Sequence, residues 1–130
     1  MNNTIMKFLD YVTEIEDFFR TNGVQVDPVP QVKVDYTQRD VFDPFVPTGN
    51  YNPTNNTITI FVNNRQLKDI LRSFCHELIH HNQNITNPEG FKQMNMNGTL
   101  QENDELTKIE SDAYNRGNIL FRKWTETHTH

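Results

Sequence analysis

Two histidines four residues apart, His76 and His80, lie in a segment whose apolar residues recur at intervals of three and four. This recurrence predicts an amphipathic helix over residues 64–82, capped by Asn63 or Asn64. On a helical wheel both histidines fall on the side opposite the apolar residues, which are Leu67, Ile70, Leu71, Phe74 and Leu78. We therefore expect the apolar face of this helix to pack on the core while the histidines face a cleft.

The whole chain, residues 1–130, predicts a single domain, because this length is too short for two ordinary domains. The predicted helices and strands together indicate the α+β class. Residues 4–20 have the apolar spacing of a helix, and Asn22–Gly23 is a suitable helix end. Residues 24–62 are rich in β-branched and turn-forming residues. They predict a β-rich region with two antiparallel strands around a turn at residues 52–56.

Composition excludes several classes of protein. The formal net charge is −5 and no basic stripe is present, so the chain is a poor candidate for binding nucleic acid or an anionic membrane. It has no apolar run long enough for a membrane span and no signal-peptide pattern, so we expect a cytoplasmic protein. The single cysteine, Cys75, excludes an intrachain disulfide and a thiolate-rich zinc site. Its place on the core-facing side of the helix indicates a small buried residue.

The segment His76-Glu77-Leu78-Ile79-His80 is an H-E-x-x-H motif. Residues i and i+4 lie on one helical face, so two imidazoles at this spacing can share one Zn²⁺. Glu77 lies beside them, where it can accept a proton from water. The competing interpretation is a solvated helix face that carries two histidines by chance.

Neighbouring residues are candidates for supporting roles. His81 falls at the edge of the apolar face, so we expect it to be packed or to support the site without binding the metal. Histidine ligands commonly donate their second N–H to an acceptor. Asp69, two turns before His76 on the same face, is a candidate for this acceptor, and Gln83 and Asn84 are others.

Catalytic zinc needs a third protein ligand and an open position for water. A loop is predicted over residues 84–102 and a helix over residues 103–124. Glu110 falls inside the apolar face of that helix, where an unpaired carboxylate is costly to bury and a metal ion would compensate its charge. Ala113 and Gly117 are small residues on the same face, which would let the two helices approach closely.

Two alternatives remain open at this point. Glu110 could instead pair with an Arg or Lys at the edge of the core. The third ligand could also be another downstream residue, among Glu89, Glu102, Asp104, Glu105, Asp112, His128 and His130.

The motif and the later segment Glu110-Ser-Asp-Ala113 together resemble the gluzincin pattern, H-E-x-x-H followed by E-x-x-A on a later helix. More narrowly, residues 49–60, 69–83 and 109–113 look like segments of small metallopeptidase-like proteins encoded by tailed bacteriophages. The resemblance covers roughly residues 30–124, most of the chain.

The resemblance implies a minimal zincin fold. This fold has a small, mostly antiparallel β-sheet packed on an active-site helix with both histidines, and a C-terminal helix that supplies Glu110. It also implies that the strand Thr57–Val62 lines the cleft and pairs with an extended peptide. Many gluzincins have an acidic residue directly after E-x-x-A, where this chain has Tyr114. The candidates for stabilising a transition-state oxyanion are Tyr114, Tyr51 and His81.

The motif and the resemblance together predict a zinc-dependent peptidase that acts on a peptide or protein. His76, His80 and Glu110 would bind Zn²⁺, and Glu77 would act as general base and return the proton to the leaving amine. A phage-encoded protein of this kind would work in the host cytoplasm, without nucleic acid or membrane. Two alternatives are a zinc-stabilised binding or assembly module that cleaves nothing and a phage protease dedicated to one host regulator.

Overall fold

The computed structural model describes residues 3–37, 48–91 and 104–128, with residues 104–106 described through their backbone only. Its principal helices and strands confirm the predicted α+β class. They are α1 (Asn3–Thr21), β1 (Gln31–Asp35), β2 (Gly49–Asn52), β3 (Thr57–Phe61), α2 (Leu67–Thr86) and α3 (Asp104–Thr127). The predicted first and last helices match α1 and α3 to within three residues at each end. No helix in the described ranges is both long enough and apolar enough to cross a membrane.

β3 lies at the centre of a three-stranded sheet with the order β1-β3-β2. β2 pairs antiparallel with β3, with Tyr51 opposite Ile58, which confirms the predicted pair of strands around residues 52–56. β1 pairs parallel with β3, with Val32 opposite the same Ile58. The expectation of a mostly antiparallel sheet is therefore wrong. Alternation along a strand predicts its buried face but not the direction of its neighbour.

α1 ends in a Schellman motif at the predicted Asn22–Gly23. Gly23 has a positive φ of 81°. The Gly23 N–H donates to the Arg20 carbonyl at 3.1 Å, and the Val24 N–H donates to the Phe19 carbonyl at 2.9 Å. Glycine adopts this backbone conformation without steric cost, so the helix stops here and the chain turns towards the sheet.

α2 begins at Leu67, later than the predicted start of the helix over residues 64–82. The predicted caps are wrong as well, because Asn64 has a positive φ of 59° and belongs to the turn after β3. Gln66 occupies the cap position in an extended conformation and makes no side-chain capping hydrogen bond. The chain must reverse direction between β3 and α2, and this turn uses the left-handed conformation that Asn tolerates.

The side chain of Arg65 joins the end of the sheet to the start of α2. Its Nη1 donates to the carbonyls of Phe61 at 2.8 Å and Thr48 at 3.1 Å. Its Nη2 donates to the Asp69 carbonyl at 2.8 Å and to Ser73 Oγ at 2.7 Å. One guanidinium therefore satisfies acceptors on two elements, a role that nothing in the local sequence pattern indicates.

The far end of α2 also differs from the prediction. The helix continues to Thr86, and residues 88–91 are helical too, so the loop predicted over 84–102 begins too early. Asn82 is buried in this stretch, and its amide donates to a backbone carbonyl at 2.7 Å. The last turns of α2 thus use polar contacts, which apolar spacing does not detect. The remainder of the predicted loop, residues 92–102, lies outside the described residues.

α2 is the central layer of the fold. The sheet packs on it through Ile58 and Ile60, which are fully buried. α1 contributes Phe8, whose ring meets Phe74 of α2 edge to face with centroids 5.8 Å apart. α3 packs on a further side of α2, and Cys75 is fully buried among these elements as predicted. Because α2 is held on several sides, its remaining polar face has a fixed position.

Candidate metal centre

The backbones of α2 and α3 approach each other closely at Gly117. A Cβ atom on Gly117 would lie 3.2 Å from His76 Cα and 3.3 Å from the His76 backbone nitrogen. Ala113, one turn earlier on α3, is fully buried. The two small residues therefore give the close approach that the sequence predicted, and this approach brings Glu110 within reach of the histidines.

His76, His80 and Glu110 converge on one point. One ligand atom from each residue lies within 4.8 Å of the other two. Glu110 Oε1 lies 2.9 Å from His80 Nε2, and Glu110 Oε2 lies 3.6 Å from His76 Nε2. Among the described residues Glu110 pairs with these histidines and not with an Arg or Lys. The three side chains therefore form a group that could hold a metal ion.

The donor set fits zinc. Two imidazole nitrogens and one carboxylate oxygen form one of the ligand sets of catalytic zinc sites. Ligand atoms at zinc distances in a tetrahedral site lie about 3.3 Å apart. The two distances from Glu110 to the histidine nitrogens, 2.9 and 3.6 Å, bracket this value. The distances from the Glu110 carboxylate to the two imidazoles are therefore close to those of a zinc site.

The charges of the three residues are mutually dependent. Hydrogen bonds from His76 and His80 hold the pKa of Glu110 well below its usual range. Burial acts to lower the pKa of His80, but its hydrogen bond with Glu110 and the charge of Glu77 raise it above its ordinary value. The carboxylates thus favour a positive charge between the imidazoles, which a proton or a metal cation can supply. Metal binding is expected to compete with protonation.

Gln83 fixes the orientation of His80. Its amide nitrogen donates to the Ile109 carbonyl at 3.0 Å and to Asp112 Oδ2 at 2.8 Å. Its oxygen lies 2.8 Å from His80 Nδ1 and therefore accepts the Nδ1–H, which leaves Nε2 free for a metal. Asp112, one of the alternative ligands, also accepts from Arg116 Nε at 2.6 Å. Asp112 thus takes part in the site through Gln83.

Glu77 is buried beside the two histidines, with 8% of its surface exposed. A Cβ atom on Gly49 would lie 3.2 Å from Glu77 Cγ and 3.1 Å from Ile60 Cδ1, so β2 passes directly against this side chain. Burial raises the pKa of Glu77, and the charges of His80 and His76 partly oppose that rise. A carboxyl group with a raised pKa is a stronger proton acceptor once ionised.

A cavity of about 510 Å³ lies over the three metal-ligand candidates and Glu77. Residues 48–51 form one wall, and α2 and α3 form the others. β3 does not offer a free edge to a peptide, because it is paired with β1 on one side and β2 on the other. The expectation that Thr57–Val62 pairs with an extended peptide is therefore wrong. β2 borders the cavity, and its second edge is unpaired among the described strands.

His81 is fully buried on the side of α2 away from the metal candidates, as its wheel position predicted. Its Nε2 lies 2.7 Å from the Pro28 carbonyl and 3.1 Å from the Val26 carbonyl, so Nε2 carries the proton. The Tyr51 hydroxyl lies 2.9 Å from His81 Nδ1 and accepts from the Asn84 amide at 2.9 Å. Burial lowers the pKa of His81 and raises that of Tyr51. These groups anchor β2 to α2, and both ring nitrogens of His81 and the Tyr51 hydroxyl are already hydrogen-bonded.

The other predicted site residues occupy different positions. Tyr114 lines the cavity and is 65% exposed. The Asp69 carboxylate lies 3.2 Å from Arg72 Nη1, so Gln83, not Asp69, is the acceptor for a ligand imidazole. His128 is paired with Glu14 of α1.

Of the remaining alternative ligands, Glu89 is the one whose side chain the structure describes, and it is not brought to the cluster. Glu89 is exposed in the helical turn at residues 88–91. Side-chain positions are not described for the others, which are Glu102, Asp104, Glu105 and His130.

Comparisons of the chain with protein-family models, with curated proteins and with solved structures found no match. The functional interpretation therefore depends on the geometry of this site and on the resemblance of its motifs.

Proposed function

We propose that this protein is a zinc-dependent peptidase with a minimal zincin-like fold. The observation that carries the proposal is the convergence of His76, His80 and Glu110 at a cavity whose floor includes Glu77. The order of these residues along the chain is also that of the gluzincin pattern, H-E-x-x-H followed by E-x-x-A.

Zinc, when bound, would lower the pKa of a coordinated water and polarise the scissile carbonyl. Glu77 then accepts the proton of the attacking water and returns it to the leaving amine. Its burial against Gly49 keeps this carboxylate in one position next to the ligand cluster. Gln83 holds His80 in the tautomer that directs Nε2 towards Glu110. Tyr114, one turn after Glu110, is the residue we assign to the transition-state oxyanion, because it lines the cavity and is free to move.

The edge of β2 that is unpaired among the described strands supports a peptide as the substrate. An extended peptide that adds to this edge forms backbone hydrogen bonds that do not depend on its sequence. Because Gly49 of β2 lies against Glu77, the peptide backbone would pass next to the general base. This arrangement replaces the role that the resemblance implied for β3.

Metal content of the purified, untagged protein is the first test. We expect about one zinc ion per chain, lost or weakened in His76→Ala and in Glu110→Ala. His128→Ala is the matched control, because that histidine pairs with Glu14 away from the cluster. If the wild-type protein bound no zinc after reconstitution, both the proposed metal site and the proposed peptidase activity would be refuted.

Hydrolysis is tested by incubating a cell proteome with the wild-type protein and with Glu77→Gln. The variant should keep zinc and lose cleavage. Many cleavages by the wild type indicate a general peptidase, and a single cleavage indicates a protease for one regulator. Cleavage that persists in Glu77→Gln would refute the assigned base, and zinc binding without any cleavage would favour a binding module.

A further inference from the structure

A second cavity continues from the metal centre along the groove between α2 and α3. It has a volume of about 810 Å³ and shares Arg72, Tyr114 and Asn118 with the metal-site cavity. Beyond the shared residues its lining is dominated by positive charge. We call this cavity the basic groove and define it by four side chains, Lys68, Arg72, Arg122 and Lys123.

The position of Lys68 on α2 gives the distance of one end of the basic groove from the metal centre. Lys68, Arg72 and His76 follow one another at intervals of four residues and therefore share one face of α2. At a rise of 1.5 Å per residue, the position of Lys68 lies about 12 Å along the helix from His76. An extended peptide advances about 3.3 Å per residue, so this distance corresponds to roughly three or four residues of substrate.

These charges are available to a ligand. Lys68, Arg122 and Lys123 are exposed, and none of them forms an ion pair with a described residue. Arg72 is paired with Asp69, but its guanidinium also lies over the Phe121 ring, 5.3 Å from the centroid. Glu126 is the single acidic residue among the described residues that line the groove. Such a concentration of positive charge is notable in a chain whose formal net charge is −5.

We propose that the basic groove selects substrates with acidic residues roughly three or four positions from the scissile bond, on one side of it only. This inference rests on the proposed peptidase function, because it takes the metal centre as the point of cleavage. The cavity on the other side of the metal centre, which shares Phe91 with the metal-site cavity, has both Lys108 and Asp112 in its lining. No preference for acidic residues is expected there.

The test measures binding separately from cleavage. Fluorescent peptides share one neutral core and have a flank of Glu, Gln or Lys on either side. Their affinity for the zinc-loaded Glu77→Gln protein is measured by fluorescence anisotropy, and their cleavage by the wild type is measured in parallel. We expect the peptide with Glu on one side to bind about tenfold more tightly than its Gln counterpart at low salt. Added salt should reduce this difference.

Two matched double variants identify the residues responsible. Lys68→Gln with Lys123→Gln should remove most of the preference for Glu. Lys7→Gln with Lys33→Gln changes the net charge equally at exposed positions on α1 and β1, outside the groove, and should keep the preference. Equal loss in both variants would show a general charge effect and overturn the proposal.

Other outcomes separate this inference from the proposed function. Equal binding of Glu- and Gln-flanked peptides, with both of them cleaved, would refute the basic groove and leave the peptidase. Selective binding of the Glu-flanked peptide without cleavage would support the groove and refute the peptidase. Absence of peptide binding would overturn the inference. Tight binding of a labelled single-stranded oligonucleotide that is lost in the Lys68/Lys123 variant would also overturn the inference, because the groove would then be a nucleic-acid-binding site.

Discussion

Gly117→Ala is expected to destabilise the protein, although the same change in a solvated helix is stabilising. Alanine is favoured over glycine in a helix interior by about 1 kcal/mol. At position 117, however, the new methyl group would lie 3.2 Å from His76 Cα, 3.3 Å from the His76 nitrogen and 3.4 Å from the Cys75 carbonyl oxygen. All three are backbone atoms of a buried helix, so they cannot rotate away.

The size of the effect follows from these opposing contributions. Overpacking of this kind costs about 1–3 kcal/mol, which exceeds the gain in helix propensity. We expect a net loss of about 1 kcal/mol in the free energy of unfolding, measured by urea denaturation of the metal-free protein. The displacement of α3 should also move Glu110 away from the histidines and weaken zinc binding about tenfold in a chelator competition assay.

Asn115→Ala is the control, because Asn115 is exposed on α3 and its replacement changes helix propensity without a new contact. That variant should be more stable than the wild type by about 0.5 kcal/mol and should bind zinc normally. If Gly117→Ala were instead stabilised by about 1 kcal/mol with unchanged zinc affinity, the close approach of the two helices would be refuted.

Three further predictions concern residues other than the three metal-ligand candidates. Gln83→Leu removes the acceptor for His80 Nδ1 and should weaken zinc binding about 10–100-fold in the same competition assay, and unchanged affinity would exclude the orienting role. Arg65→Met removes the guanidinium hydrogen bonds to the carbonyls of Phe61 and Asp69 and should lower the free energy of unfolding by about 3 kcal/mol, whereas a loss below about 1 kcal/mol would contradict the bridging role. Burial raises the pKa of Glu16 from 4.5 to about 7. Its contribution to stability is therefore present in full below pH 4.5 and is lost as the pH rises through about 7. Glu16→Gln should then be more stable than the wild type above pH 7, by up to about 3 kcal/mol, and should lose this advantage at pH 4.5; an advantage that does not vary with pH would refute the raised pKa.

The convergence of His76, His80 and Glu110 could be predicted because it follows from the periodicity of two helices that pack together. His76 and His80 share a face by their spacing, and Glu110 lies on the packing face of its own helix. Once two amphipathic helices pack together, residues on facing surfaces meet, and small residues such as Gly117 mark where they approach. The same arithmetic placed His81 away from the cluster.

The supporting contacts could not be predicted in this way. The helical wheel placed Asp69 on the same face as His76, but the Asp69 carboxylate pairs with Arg72. The acceptor for His80 is Gln83, whose amide donates to Asp112 of another helix. Arg65 reaches acceptors on two elements, which depends on the tertiary arrangement of its long side chain. The parallel direction of β1 likewise depends on how the chain connects β1 to β3, and the alternation of apolar and polar residues within each strand does not determine it.

The central position of α2 has a consequence for how this protein can evolve. Twelve of its 20 residues are buried. Four are exposed, and these are Lys68, Asp69, Arg72 and Thr86. Substitutions that leave the packing of α2 intact are therefore confined to a few positions, two of which line the basic groove. Lineages of this protein should accordingly diverge first in the charge of that groove, while change elsewhere on the helix requires a compensating substitution in the sheet, in α1 or in α3.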